Sequence, residues 1–185
     1  MEFIEEIKIL ENTLHHKEDF LTNITDSNVL LINIPKPSST PLDELYIKAM
    51  TRYIASNTLS SYIVSAHEKI LEDEILKRVI AENNIQLVIN LCNSKETDFD
   101  VTYEQIQDKE MDYSLIKELE DAFHEANITK DKHGINENAV LSNLDIDVIQ
   151  IAISENIRDL ENPEKLKQVC EALINYIKMY TNYSD

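Results

Sequence analysis

The sequence predicts an α/β domain with a mostly parallel central sheet covered by helices on both faces. Three observations carry that reading. Val29 to Ile34 and Leu87 to Leu91 are nearly continuous apolar runs, the pattern of strands buried on both sides. Amphipathic helical stripes alternate with these runs, and no composition shift or Pro, Gly or Ser-rich linker divides the 185 residues. We therefore expect one domain over 1–185, with residues 1–20 forming a helical segment packed on it.

In chain order, Phe3, Ile7, Leu10 and Leu14 make the first helical stripe. The Val29 run ends at Pro35. Thr40 is the expected N-cap and Pro41 the first residue of a helix whose apolar stripe is Leu42, Leu45, Tyr46, Ala49, Met50 and Tyr53. Tyr62 to Ser65 reads as a short strand. Leu71, Ile75, Val79 and Ile80 give the next helix, with Ser65 and Glu68 at capping-box spacing ahead of it. After the Leu87 strand, Asp98 to Thr102 is a short strand candidate, and Leu115, Leu119, Ala122, Phe123 and Ala126 mark a helix. Leu144 to Ile153 alternates as a strand. Asn162 and Pro163 then open a last helix with Leu166, Val169, Cys170, Leu173, Ile174 and Ile177 on one face.

Composition excludes several functions. The net charge is −18, from 17 Lys+Arg against 35 Asp+Glu, which repels phosphate backbones and anionic headgroups. Neither nucleic acid nor a membrane surface is expected as partner. Gly134 is the single glycine, where average usage would give roughly 13. Phosphate-cradling loops, dinucleotide fingerprints and the Gly-x-Ser-x-Gly elbow all need more. Cys92 and Cys170 cannot build a disulfide framework and have no paired metal spacing. No apolar stretch approaches a membrane span, and Met1 to Glu6 is acidic where a signal peptide is basic, so a cytoplasmic protein is expected.

Ligands in open α/β sheets bind beyond the carboxyl ends of the strands. The segments there are Pro35-Lys36-Pro37-Ser38-Ser39, Asn90-Leu91-Cys92-Asn93-Ser94-Lys95 with Asp98-Phe99-Asp100, and Val148-Ile149-Gln150-Ile151-Ala152-Ile153 leading to Arg158. In order and spacing these resemble the N-formylglutamate amidohydrolase family, α/β zinc hydrolases that cleave an amide from an acidic amino acid. Ile34-Pro35-Lys36-Pro37-Ser38 is similar to that family's Pro-His-x-Gly turn, and Ile89-Asn90-Leu91-Cys92-Asn93-Ser94 to its Asp-Leu-His-Gly strand end. Asp98-Phe99-Asp100 resembles the acidic strand that follows. Gln150-Ile151-Ala152 with Arg158 resembles the late Gln-x-Glu strand and its Arg. The similarity runs roughly from Asn28 to Tyr180.

The departures alter the expected chemistry. Lys36 and Cys92 stand where the resemblance places metal-ligand histidines, and Ala152 where it places a Glu. A hydrolytic zinc takes about three protein ligands, and an ammonium repels a divalent cation. Ser38 and Asn93 stand in the glycine slots. The resemblance thus implies a scaffold without its metal or its chemistry, retaining a pocket lined by Lys36, Ser38, Cys92, Asn93, Asp100, Gln150 and Arg158. Its ligand would be a small carboxylate-bearing molecule, with Lys36 as a point charge and Arg158 as a fork. No cofactor is expected.

Blander roles compete at each position. Cys92 can be a small core hydrophobe, Gln150 a satisfied buried amide, and Arg158 a partner of Glu155 or Asp159. Cys170 falls on the last helix's apolar stripe. His15, His16, His67, His124 and His133 show no ligand spacing. Two alternatives remain open: an acidic interaction or inhibitor protein that binds a basic partner, and a zinc amidohydrolase with rearranged ligands built from Cys92, Asp98, Asp100, His67 or the acids around Glu72.

Overall fold

The computed structural model describes residues 2–14, 20–34, 44–65, 72–95, 97–106, 113–132, 139–158, 160 and 163–183. Helix α1 (Phe3–Leu14) is followed by strands β1 (Phe20–Asn23) and β2 (Val29–Asn33), helix α2 (Ile47–Thr58), strand β3 (Ser61–Ser65) and helix α3 (Asp73–Glu82). Strands β4 (Leu87–Ser94) and β5 (Val101–Gln105), helix α4 (Tyr113–Glu125), strand β6 (Lys130–Lys132) and the short helix α5 (Ala139–Ser142) come next. Strand β7 (Asp147–Ser154), a 3-10 turn (Glu155–Arg158) and helix α6 (Pro163–Tyr183) complete the order.

The strands form one sheet in the order β1-β3-β2-β4-β7-β5-β6. Strands β3, β2, β4 and β7 run parallel as its centre. Strand β1 is antiparallel to β3, β5 is antiparallel to β7, and β6 runs parallel to β5. The sheet is mixed and mostly parallel, as the apolar runs predict.

Alternation along the central strands sorts side chains between two layers. Odd-numbered positions such as Val29, Leu31, Ile89, Leu91, Ile149 and Ile151 join Ile7 of α1, Ile54 of α2, Phe123 of α4 and Leu173 of α6 in the larger core. Even-numbered positions such as Leu30, Ile32, Val88 and Val148 pack with Leu76 of α3 and Leu141 of α5. Helices therefore cover both faces, unevenly. All five residues of β2 and all eight of β4 are buried, which is why both are nearly free of charge. Cys170 is fully buried on α6, and desolvation, with Glu171 adding to it, pushes its thiol pKa well up. Tyr103 of β5 donates to Glu120 of α4, and burial followed by that acceptor raises its phenol pKa.

Several elements begin elsewhere than the sequence suggests. Helix α2 starts at Ile47, because Tyr46 takes a left-handed backbone at φ 67° with no side-chain cap. Leu45 is consequently in a turn and exposed, off the core stripe. Thr40, Pro41, Leu42, Glu68, Leu71 and Asn162 lie outside the described residues. In α3 the fully buried anchor is Leu76, and the expected stripe residues Ile75, Val79 and Ile80 pack only partly buried. Residues 98–100 form a bend, and the strand expected there runs instead from Val101 to Gln105. The cause is Asp100, whose amide and carboxylate are both tied to Thr129, holding the chain in a turn before β5. Strand β7 starts at Asp147 rather than Leu144, which anchors the α3/α5 layer from the preceding loop.

Scarce glycine leaves its mark at helix ends. Tyr46, Leu59, Asn84 and Asn127 all hold positive φ. Leu59 closes α2 at φ 56°, ψ 24°, and is 78% exposed. A non-glycine residue costs about 1–2 kcal/mol in this region, and glycine's greater freedom in the unfolded chain takes back about 0.4–1 kcal/mol. Leu59→Gly should therefore stabilise the protein by about 0.5 kcal/mol. Urea denaturation should show a higher midpoint with an unchanged slope.

Candidate functional site

The chain leaves β2 toward β3 on one side and leaves β4 toward β5 on the other, so β2 and β4 flank a topological switch point. Open α/β sheets place their ligand crevice at such a point. Side-chain amides stitch the strand ends there. Asn33, 2% exposed, donates from Nδ2 to the Leu91 carbonyl at 2.8 Å and to Glu44 Oε2 at 3.1 Å. The Ile34 amide donates to Asn90 Oδ1 at 2.8 Å, and Asn90 Nδ2 donates to Gln150 Oε1 at 3.2 Å. Three adjacent strands are thus joined by one directional chain of hydrogen bonds.

The arrangement is divided by the sheet. Asn90, Cys92, Gln150 and Ala152 share the face of α3 and α5, following the alternation of Val88 and Val148. Asn33 and Asn93 share the other face. Cys92 is fully buried and packs against fully buried Ala152, its register partner on β7. Gln150 is a buried acceptor within the amide chain. Arg158, 7% exposed, donates from Nη1 to the Leu45 carbonyl at 3.4 Å, which brings it beside the turn that carries Glu44. Asp100 sits at the carboxyl end of β7, its carbonyl accepting from Ser154 N at 3.0 Å, and its Oδ2 accepts from Thr129 N at 2.8 Å and Lys165 Nζ at 3.2 Å. It fastens β5 and β6 to α6. Lys36, Ser38 and His67 lie outside the described residues.

Three residues of this site, Asn33, Asn90 and Glu44, are not among the sequence candidates. A polar side chain inside a strand buried on both faces must find a hydrogen-bond partner, so Asn33 in the Val29–Asn33 run carries a usable signal. Asn90 carries the same one. Glu44 carries none, because its burial at 5% exposure arises only when the turn folds over the end of β2. An open cleft of about 490 Å³ lies elsewhere, between α1, Tyr53 and the start of α6, and none of the candidate residues line it.

Among the described residues no three His, Cys, Asp or Glu side chains converge. Cys92 packs against Ala152, and the Asn90 side chain is engaged with Gln150 and the Ile34 backbone amide. Both thiols should be silent in the native protein, since Cys92 and Cys170 are each fully buried. Ellman's reagent should label neither within minutes and both after denaturation. Rapid native labelling of Cys92 would show an open strand end.

The fold is shared with several hydrolases of known structure. The chain is similar to N-formylglutamate amidohydrolase from Ralstonia eutropha JMP134, with a TM-score of 0.62 and 8% identity over 89% of this chain and 97% of that one. It is also similar to the catalytic domain of the N-acetylmuramoyl-L-alanine amidase CwlV from Bacillus (Paenibacillus) polymyxa var. colistinus, with a TM-score of 0.56 and 12% identity over 83% and 98% of the two chains. A bacteriophage poly-gamma-glutamate hydrolase matches with a TM-score of 0.56 and 10% identity over 94% and 93%. At these identities the likeness is one of fold. No family model matches the sequence, and no curated protein does. Among the described residues no helix is long and apolar enough to cross a membrane.

Proposed function

We propose that this chain is a non-catalytic, metal-free, cytoplasmic relative of the amidohydrolase and amidase fold group that keeps the switch-point crevice as a binding site. The observation that carries this reading is the contact between Cys92 and Ala152. The resemblance puts a metal ligand and an acidic residue at these two positions, and here they are paired in register, fully buried and packed as thiol against methyl. Among the described residues no two further His, Cys, Asp or Glu side chains join this thiol, and a catalytic zinc takes about three protein ligands. The amide chain through Asn90 and Gln150 then holds the strand ends in place instead of presenting them to a metal.

The ligand we propose is a small carboxylate-bearing molecule, with Arg158 as a cation at the crevice. Titration with glutamate and N-formylglutamate, read by calorimetry, should show binding that Arg158→Leu removes. Neither compound should be consumed, with or without added zinc. Zinc-dependent release of formate at enzymatic rates would overturn the reading. A second reading rests on the charge of −18: an acidic surface that binds a basic protein partner, with association that weakens as salt rises.

A further inference from the structure

The two edges of the sheet are treated differently by the sequence. Strand β6 reads Lys130-Asp131-Lys132, and charged residues are a usual defence of an unpaired edge. Strand β1 reads Phe20-Leu21-Thr22-Asn23, and the uncharged stretch continues through Ile24 and Thr25. Among the described residues no strand pairs with the outer side of β1. Thr22, Asn23 and Ile24 are exposed, Ile24 at 39%. Leu59, among the described residues the most exposed large apolar side chain, belongs to the adjoining turn, since Thr25 Oγ1 donates to its carbonyl at 2.8 Å and the Thr25 amide donates to Ser61 Oγ at 3.0 Å. A ladder edge unpaired among the described residues and two exposed apolar side chains therefore meet at one corner of the sheet.

We propose that β1 is the contact strand of a weak two-fold homodimer, in which it pairs antiparallel with β1 of a second copy. The occupant follows from charge and symmetry. Two copies at −18 repel one another, so approach is least opposed where charge is sparse, and none stands on Phe20–Thr25 or Leu59–Ser65, with exposed Asp26 the nearest described charge in the turn between them. Antiparallel pairing of a strand with itself is closed by a two-fold axis, whereas β1 on the charged β6 edge would build an open row of molecules. A basic partner gains nothing from this uncharged strand. Four ladder residues and two apolar side chains make a small contact, so the dimer is weak. Because the bulk charge opposes it, added salt strengthens it, opposite to the salt effect expected for binding a basic partner. This proposal does not depend on the function of the strand-end site.

Sedimentation of the untagged full chain from roughly 10 µM to roughly 1 mM tests it. The expected result is a mass rising from one chain toward two, further at high salt, with amide exchange over Phe20–Asn23 slowing as concentration rises. Thr22→Lys and Thr22→Glu should both keep the protein monomeric, because the two-fold sets each new charge close to its own copy. Unchanged far-UV circular dichroism and thermal midpoint would show that both variants fold, Thr22 being exposed. A wild-type chain that stays monomeric throughout overturns the proposal. So do variants of both signs that associate as the wild type does.

Discussion

Asn33→Asp should lower stability by about 3–5 kcal/mol at neutral pH, although the two side chains have nearly the same shape. The Asn33 amide gives one hydrogen to Glu44 Oε2 and one to the Leu91 carbonyl, from a position 2% exposed. An aspartate has neither hydrogen to give and sets a second buried anion against Glu44. Its pKa in the folded variant should be raised above the unfolded value of about 3.9. The penalty is then absent below that unfolded value and grows as pH rises through the folded pKa. Denaturation at pH 5 and pH 7 should show the deficit shrinking on acidification. Equal stability of wild type and variant at pH 7 would show that the Asn33–Glu44 contact does not form.

The other large loss is expected at Phe123→Ala, about 3–5 kcal/mol. Phe123 is fully buried in the larger core, on the helix that packs against α6. Truncation leaves a cavity with rigid walls, because the facing sheet strands are buried on both sides and cannot move in to fill it. Phe123→Leu, which keeps most of the volume, should cost much less. Urea denaturation measures both, and a loss below about 1 kcal/mol for the alanine variant would mean that this layer is loosely packed.

Strands β2 and β4 could be read from the sequence because burial on both faces demands a continuous apolar run, and β7 from its alternation, all of them local signals. The edges could not. Strand β1 is four partly exposed residues and β6 is Lys-Asp-Lys, so neither has a face to reveal it. The start of α2 was misplaced because the left-handed Tyr46 depends on the turn that carries Glu44 to Asn33, a tertiary contact. The same limit applies at the site. Gln150 could be read as a buried amide from its apolar neighbours, but its partner Asn90 is 60 residues away. The place of Asp100 after β4 is legible in the sequence, but its partners Thr129 and Lys165 are announced by no local pattern.

The claim that the fold has been kept without its metal is tested most directly by the zinc content of protein purified without a metal-affinity tag, before and after incubation with added zinc and removal of the excess. The account predicts far less than one zinc per chain in both samples, because Cys92 faces Ala152 and no three ligands converge among the described residues. About one tightly held zinc per chain would contradict it and would require a ligand set of the kind that hydrolytic sites use.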